Sequence, residues 1–307
     1  MFFAVRRLSR CPARRIVQTR WLCSARIIKK YPYLIKAVQG SSKDPHHQPV
    51  HRLGGNNRFG EDSWFISSTP KAEVMGVADG VGGWRKVGID AGIFAKELMY
   101  WCSNNAQRAE FDGRNPRQLL IDSFNQMRTT SADVLGSSTA CLVALKRSDC
   151  TLHTANLGDS GFLVLRNGKV VLRSDEQHHG FNTPYQLAMP SSERQNNSHS
   201  DEPEQAISSH MPLQQGDLVL LATDGLFDNV PESMLVRHLG PVHGETQKEQ
   251  LQLVANNLVA LASDLSLSPN FQSPFALKAR ANNINYGPGG KPDDITLILA
   301  SVAVHNK

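Results

Sequence analysis

Short apolar runs that end on an acid and a glycine restrict this chain more than any other feature. EVMGVA at 73–78 runs into Asp79-Gly80, and DLVLLA at 217–222 runs through Thr223 into Asp224-Gly225. Runs this short, rich in β-branched residues and closed by Gly, Asp or Asn, predict strands. Five more occur: STACLVAL at 138–145, TLHTA at 151–155, GFLVLR at 161–166, KVVLR at 169–173 and DITLILASVAV at 294–304. Asn167-Gly168 between two of them predicts a tight hairpin.

Three segments predict helices. Residues 90–103 follow a cap at Asp90, and residues 116–134 follow Asn115 with Pro116 at the first helical position. Residues 247–263 open on Thr246 and Glu249 at capping-box spacing. Strands cluster and helices group, without regular β-α-β alternation. The expected class is α+β with antiparallel sheets. No stretch approaches the roughly 18 consecutive apolar residues of a membrane span.

The same strand-edge setting recurs for several acids: Glu61-Asp62, Asp79, Asp159, Asp224 and Asp293-Asp294. A single Asp-Gly reads as an ordinary turn, but five recurrences at strand edges point to a shared cleft. At about 5 Å and an effective dielectric near 20, each like-charge pair repels by roughly 3 kcal/mol. Converging acids must therefore be protonated, spread apart or neutralised by cations. Oxygen ligands without His or Cys select Mg²⁺ or Mn²⁺ over zinc.

The charge balance is uneven. Of 33 Lys+Arg, eleven lie in residues 1–43, which hold no acid; the remainder has 22 basic against 28 acidic residues. The basic excess belongs to the leading segment, which removes a global argument for nucleic-acid binding. Arginines interleaved with Phe2, Phe3, Leu8, Ile16, Trp21 and Leu22, with Ser and Thr between, predict a mitochondrial transit peptide over 1–43. Residues 44–57 read as a linker, and residues 190–215 as a flexible surface loop. Cys102, Cys141 and Cys150 follow the leader with no C-x-x-C spacing, so neither a zinc site nor a redox pair is signalled.

RFGEDSW, VADGVGGW, GSSTAC, ANLGDSGF, ATDGLFDN and DDITLIL occur in this order between about residues 54 and 304. In them the chain resembles the metal-dependent serine/threonine protein phosphatases, the PPM or type 2C family. DGVGGW, SDEQHHGFNTPYQL and SPNFQSPFA further resemble a small mitochondrial branch linked to ubiquinone biosynthesis. The resemblance implies a β-sandwich of two antiparallel sheets flanked by helices over residues 58–305. It implies a site holding two Mn²⁺ or Mg²⁺ ions at one edge, with Asp79 and Asp224 the central catalytic acids. Asp79 would bridge both ions, and Gly80 would offer its carbonyl to the first. Asp224 and Asp293 would hold the second, with Glu61 alongside and Asp159 at a weaker third position. Asp294 beside Asp293, and Asp62 beside Glu61, stand as alternatives. Arg58 is the counterpart of the family's phosphate-binding arginine, displaced by one residue. Val81 replaces a histidine proposed as a general acid, and Gly161 replaces an arginine.

The implied reaction is hydrolysis of phosphoserine and phosphothreonine by direct attack of metal-bound hydroxide. The implied substrates are phosphoproteins of the mitochondrial matrix, ubiquinone-biosynthesis enzymes among them. Two other readings compete. A pseudophosphatase that only binds partners is favoured by Val81 and the missing arginines, and opposed by intact Asp79, Gly80, Asp224 and Asp293. A two-metal hydrolase of small phosphoesters is separated from both by substrate comparison.

Overall fold

Most of the apolar runs become strands covered on both faces, which is why they lack the polar alternation of a half-exposed sheet. The structure is a computed structural model that describes residues 30–44, 57–189 and 200–306. Its main strands, in chain order, are β1 (Lys30–Ser41), β2 (Asp62–Ser68), β3 (Ala72–Asp79), β4 (Ala140–Lys146) and β5 (Thr151–Leu157). They continue with β6 (Gly161–Arg166), β7 (Lys169–Arg173), β8 (Ile207–Pro212), β9 (Leu218–Ala222) and β10 (Ile295–Asn306). One five-stranded antiparallel sheet runs β1-β10-β9-β6-β7, and the other β8-β5-β4-β3-β2. Their facing sides interleave Met75, Val77, Val143, Leu145, Phe162, Val164, Val219, Leu221 and Ile298, all buried.

Helices cover the outer faces. Against the second sheet lie α1 (Ala91–Ala106) and α2 (Pro116–Thr130), through Phe94, Leu98, Leu120, Phe124 and Met127. The chain then adds one turn, α3 (Asp224–Phe227), and α4 (Glu232–Leu239). Leu251, Ala255, Leu258 and Ala262 of α5 (Lys248–Ser266) pack on the first sheet, and α6 (Pro274–Ala281) follows. The antiparallel α+β sandwich expected from sequence is the fold observed.

Local chemistry fixes several boundaries. Asp90 accepts a hydrogen bond from the Gly92 amide, and Asn115 accepts one from the Gln118 amide. Asn167 (φ 51°) and Gly168 (φ 73°) form the tight β6–β7 turn. The expected Thr246 cap is absent: α5 starts at Lys248, and Glu245 instead accepts from the Thr246 and Gln247 amides.

Two domain boundaries need correction. The segment 1–43 does not lie wholly outside the fold, because Lys30–Ser41 is β1, paired along its length with β10. The transit-peptide composition of residues 1–29 lies outside the described residues. The 190–215 loop is shorter than expected, because Ile207–Pro212 forms edge strand β8 on β5. Its polar outward residues hid it; an edge strand needs little apolar content. Most of the 44–57 linker lies outside the described residues.

Candidate metal centre

Four strand ends and one helical turn deliver the acids to one end of the sandwich. Asp79 closes β3, and Asp62 opens β2 directly opposite it in the register. Asp159 lies in the β5–β6 loop, Asp224 opens α3 just after β9, and Asp293 and Asp294 precede β10. One carboxylate oxygen each from Asp79, Asp159 and Asp224 lies within 4.8 Å of the others.

The electrostatic consequences follow from that crowding. Removal from water, then Asp224, Asp62, Asp293 and Asp159, raise the Asp79 carboxyl well above its usual range. Burial pushes Asp224 up to about 7; Lys291 opposes the shift, while Asp293, Asp159 and Asp228 add to it. Lys291 Nζ contacts Asp224, and lies 2.9 Å from Asp228 and 3.4 Å from Asp293. Its backbone is held by buried Asn229, which accepts from the Lys291 amide and donates to the Lys291 carbonyl, both at 2.8 Å.

Asp293 stands beside the three acids, with one oxygen 2.9 Å from Lys43 Nζ and the other facing Lys291. These two ammoniums hold its carboxyl below the ordinary range against the effect of burial. Asp294 has a different task. Its carboxylate accepts from the Glu61 amide at 3.0 Å, the Lys43 amide at 2.9 Å and the Ser42 hydroxyl at 3.3 Å, so it ties three segments together. Asp62 is likewise interior, accepting from the Thr223 hydroxyl at 2.8 Å. Glu61 is buried between Arg85 Nε at 2.9 Å and Lys43 Nζ at 3.5 Å.

The glycines serve close approach. A Cβ at Gly225 would lie 2.1 Å from the Asp294 carbonyl oxygen, and one at Gly80 would lie 2.7 Å from backbone atoms of Ala91 and Glu61. Gly225→Ala is expected to cost about 1–3 kcal/mol of stability through overpacking, read as a lower urea midpoint at unchanged slope. An unchanged midpoint would show that α3 shifts freely away from Asp294.

Arg58 stands apart from these acids in its contacts. It is exposed, and its Nε donates to the Gly40 carbonyl at 3.3 Å. Sequence reasoning passed over Lys43, Arg85, Asp228 and Lys291. Asp228 carried a signal: it follows Asp224 by four residues, one helical turn on the same face. Lys43 was hidden inside the supposed leader.

Two branch-like motifs meet beside the acids. His178 of SDEQHHGFNTPYQL lies 3.3 Å from Asp159, which holds the imidazole above its ordinary range. Phe181 of that motif packs on Phe275 of SPNFQSPFA with ring centroids 5.1 Å apart. Lys278 on α6 joins Glu176 at 2.8 Å to Asp228 at 3.2 Å. Together with Asn182 and Asn282 they line a cavity of about 420 Å³ that shares Asp159 and Asp228 with the acidic centre.

The oxygens suit a hard cation. Asp159 Oδ1 and Asp224 Oδ1 are buried with no hydrogen-bond partner among the described residues, and an unpaired buried carboxylate oxygen is costly unless a cation meets it. Among the described residues no imidazole or thiolate belongs to the three-acid group, so its chemistry favours Mg²⁺ or Mn²⁺.

Comparison with known proteins agrees. A family model described as Protein phosphatase 2C matches residues 52–261. The chain is 64% identical to a Drosophila virilis protein named Protein phosphatase PTC7 homolog fig, with all of both chains covered. It is 63% identical to the protein of the same name from Drosophila mojavensis, again over both full lengths. Among solved structures, the photosystem II phosphatase PBCP superposes with a TM-score of 0.71 at 26% identity, covering 88% of this chain and 99% of its own. A serine/threonine phosphatase of S. agalactiae shares the fold at a TM-score of 0.55 and 16% identity, covering 88% of this chain and 99% of its own.

Proposed function

The chain belongs to the protein phosphatase 2C family of metal-dependent protein serine/threonine phosphatases, and from that premise we propose that the acids at the sandwich edge are its catalytic metal centre. The observation that carries this reading is the approach of Asp79, Asp159 and Asp224 within 4.8 Å of one another. Asp79, Asp224 and Asp293, the carbonyl of Gly80 and the nearby Glu61 would hold two Mn²⁺ or Mg²⁺ ions, with Asp159 serving a further, weaker position. Bound there, the ions lower the pKa of water toward neutrality and offset the charge of the phosphoryl oxygens.

The chain's own residues do the rest. Asp294 and Asp62 fix the segments that present the acids. Lys291 and Lys43 supply positive charge at opposite oxygens of Asp293. The cavity lined by His178, Phe181, Phe275 and Lys278 is the surface beside the centre on which the polypeptide around a phosphoresidue would rest. Thiol chemistry has no support among the described residues. Burial raises the Cys102 thiol to about 12, raises Cys141 further, and also raises half-buried Cys150, and the thiolate is the nucleophile.

The arginine-rich composition of residues 1–29 supports import into the mitochondrial matrix. Resemblance to the ubiquinone-linked branch makes enzymes of that pathway candidate phosphoprotein substrates.

The deciding experiment measures phosphate release from phosphoserine and phosphothreonine peptides, nucleotides and sugar phosphates, with Mn²⁺ and with chelator. Turnover of the peptides, lost in chelator and restored by Mn²⁺, is expected. Chelator-resistant turnover would sink the metal centre. Preference for nucleotides or sugar phosphates would move the enzyme to small phosphoesters, and no turnover of any substrate would favour the pseudophosphatase.

A further inference from the structure

Lys43 lies within the segment whose composition reads as a removable leader, yet its ammonium enters the acidic centre. Strand β1 ends at Ser41, and the next two residues are pinned. The Ser42 hydroxyl and the Lys43 amide both donate to Asp294. That anchor fixes where the side chain starts, and Lys43 Nζ reaches Asp293 at 2.9 Å and Glu61 and Asp294 at 3.5 Å. It also lies against the DGVGG turn, where a Cβ on Gly82 would come within 3.6 Å of Nζ.

The other cations near the centre are engaged differently. Arg58 is exposed and donates to the Gly40 carbonyl. Arg85 Nε faces Glu61. Lys291 is shared among Asp224, Asp228 and Asp293, and its ammonium lies 5.1 Å from the centre of the Phe275 ring. The Lys43 side chain keeps 26% of its surface open, against 15% for Lys291. An ammonium has three donors that rotate freely, so it can serve Asp293 and an incoming oxyanion together.

We propose that Lys43, delivered by the N-terminal strand, is the side chain that holds the substrate's phosphoryl oxygens, in the role the sequence assigned to Arg58. The inference rests on the phosphatase reading of this site. It adds that residues just beyond β1 form part of the substrate-binding surface.

The test compares wild type, Lys43→Met, Lys43→Arg and Arg58→Ala at saturating Mn²⁺ with p-nitrophenyl phosphate, and with inorganic phosphate as competitor. One charge-assisted contact corresponds to about a tenfold change in affinity. Lys43→Met should raise KM and the phosphate inhibition constant about tenfold, with kcat within about threefold, and Lys43→Arg should recover most of both. Mn²⁺ affinity by calorimetry should be unchanged or tighter in Lys43→Met, because a competing cation has been removed. A merely structural role would lower the melting temperature and kcat and leave KM and phosphate affinity alone, which overturns the proposal. So would a tenfold KM rise in Arg58→Ala with Lys43→Met at the wild-type value. If wild type turns over no substrate, the phosphatase reading fails by itself. Calorimetric phosphate binding to the Mn²⁺-loaded wild type and Lys43→Met still decides the lysine: a weaker affinity in Lys43→Met supports it, and equal affinity overturns it.

Discussion

Asp79→Asn is expected to eliminate Mn²⁺-dependent phosphate release while leaving a folded chain that, in chelator, is at least as stable as wild type. Losing one shared carboxylate removes part of the charge stabilisation a metal pair provides. About 4 kcal/mol of lost transition-state stabilisation corresponds to roughly a thousandfold in rate. The stability arm runs the other way. The charges that bear most on Asp79 are Asp224, Asp62, Asp293 and Asp159; Lys43 attracts it more weakly, and among the described residues no lysine, arginine or histidine forms an ion pair with it. Neutralising this side chain removes repulsion and breaks no ion pair. The gain stays small, because burial and the neighbouring acids already favour the neutral form of the Asp79 carboxyl, so less repulsion is left for the amide to remove.

Asp224→Asn should lose activity to a similar extent but not gain stability in chelator. Asp224 has Lys291 as a partner, and its loss leaves that ammonium with Asp228 and Asp293. Initial rates, with melting curves in Mn²⁺ and in chelator, read both arms. The assignment is wrong if Asp79→Asn retains more than about a tenth of wild-type activity, or if Mn²⁺ raises its melting temperature as far as it raises that of wild type.

What could be read from sequence follows a physical division. Strands buried on both faces announced themselves as continuous apolar runs, β6 at 161–166 among them, and the Asn167-Gly168 turn placed the half-exposed edge strand β7 beside it at 169–173. Edge strands β1 and β8 did not, because an edge is permitted lysines, prolines and serines that dilute the pattern. The acids were legible because each is anchored to the end of a recognisable run. Their division of labour was not: whether Asp293 or Asp294 faces the centre depends on which backbone amides lie nearby, and that is set by segments remote in sequence. Cations were the least legible. Lys43 and Lys291 sit in polar stretches that resemble solvated surface, and only the fold turns them toward the acids.

That misreading of the leading segment has its largest consequence in a pair of truncations: a chain beginning at Lys30 should fold, and one beginning at Asp44 should not. Strand β1 contributes 12 residues, every one in register with β10. Leu34 and Ala37 are buried, and Ile35 and Val38 pack against the neighbouring clusters. Burying Leu, Ile and Val side chains stabilises by about 1.5–3 kcal/mol each, so these residues supply a large part of a total near 5–15 kcal/mol. Side-chain ties add to this: Gln39 to Asn256, Gln252 to the Val38 carbonyl, and Arg147 to the Pro32 carbonyl. Lys36 also pairs with Glu73 in the opposite sheet, a buried acid that would keep, among the described residues, only Arg147 as an ion-pair partner. Without β1, the outer edge of β10 becomes a long unpaired strand, the kind of edge that recruits other chains. Residues 44–307 should therefore be insoluble or unfolded, whereas residues 30–307 should melt within a few degrees of the full chain and keep its Mn²⁺-dependent activity. Solubility, gel filtration and circular dichroism melts of the two proteins provide the check. If the shorter one is a soluble monomer with a near-wild-type melt, β1 is dispensable and the original boundary at residue 43 is restored. If it is not, import processing at residue 43 is excluded, since that cut would remove an edge of the sandwich together with the lysine that reaches its acidic centre.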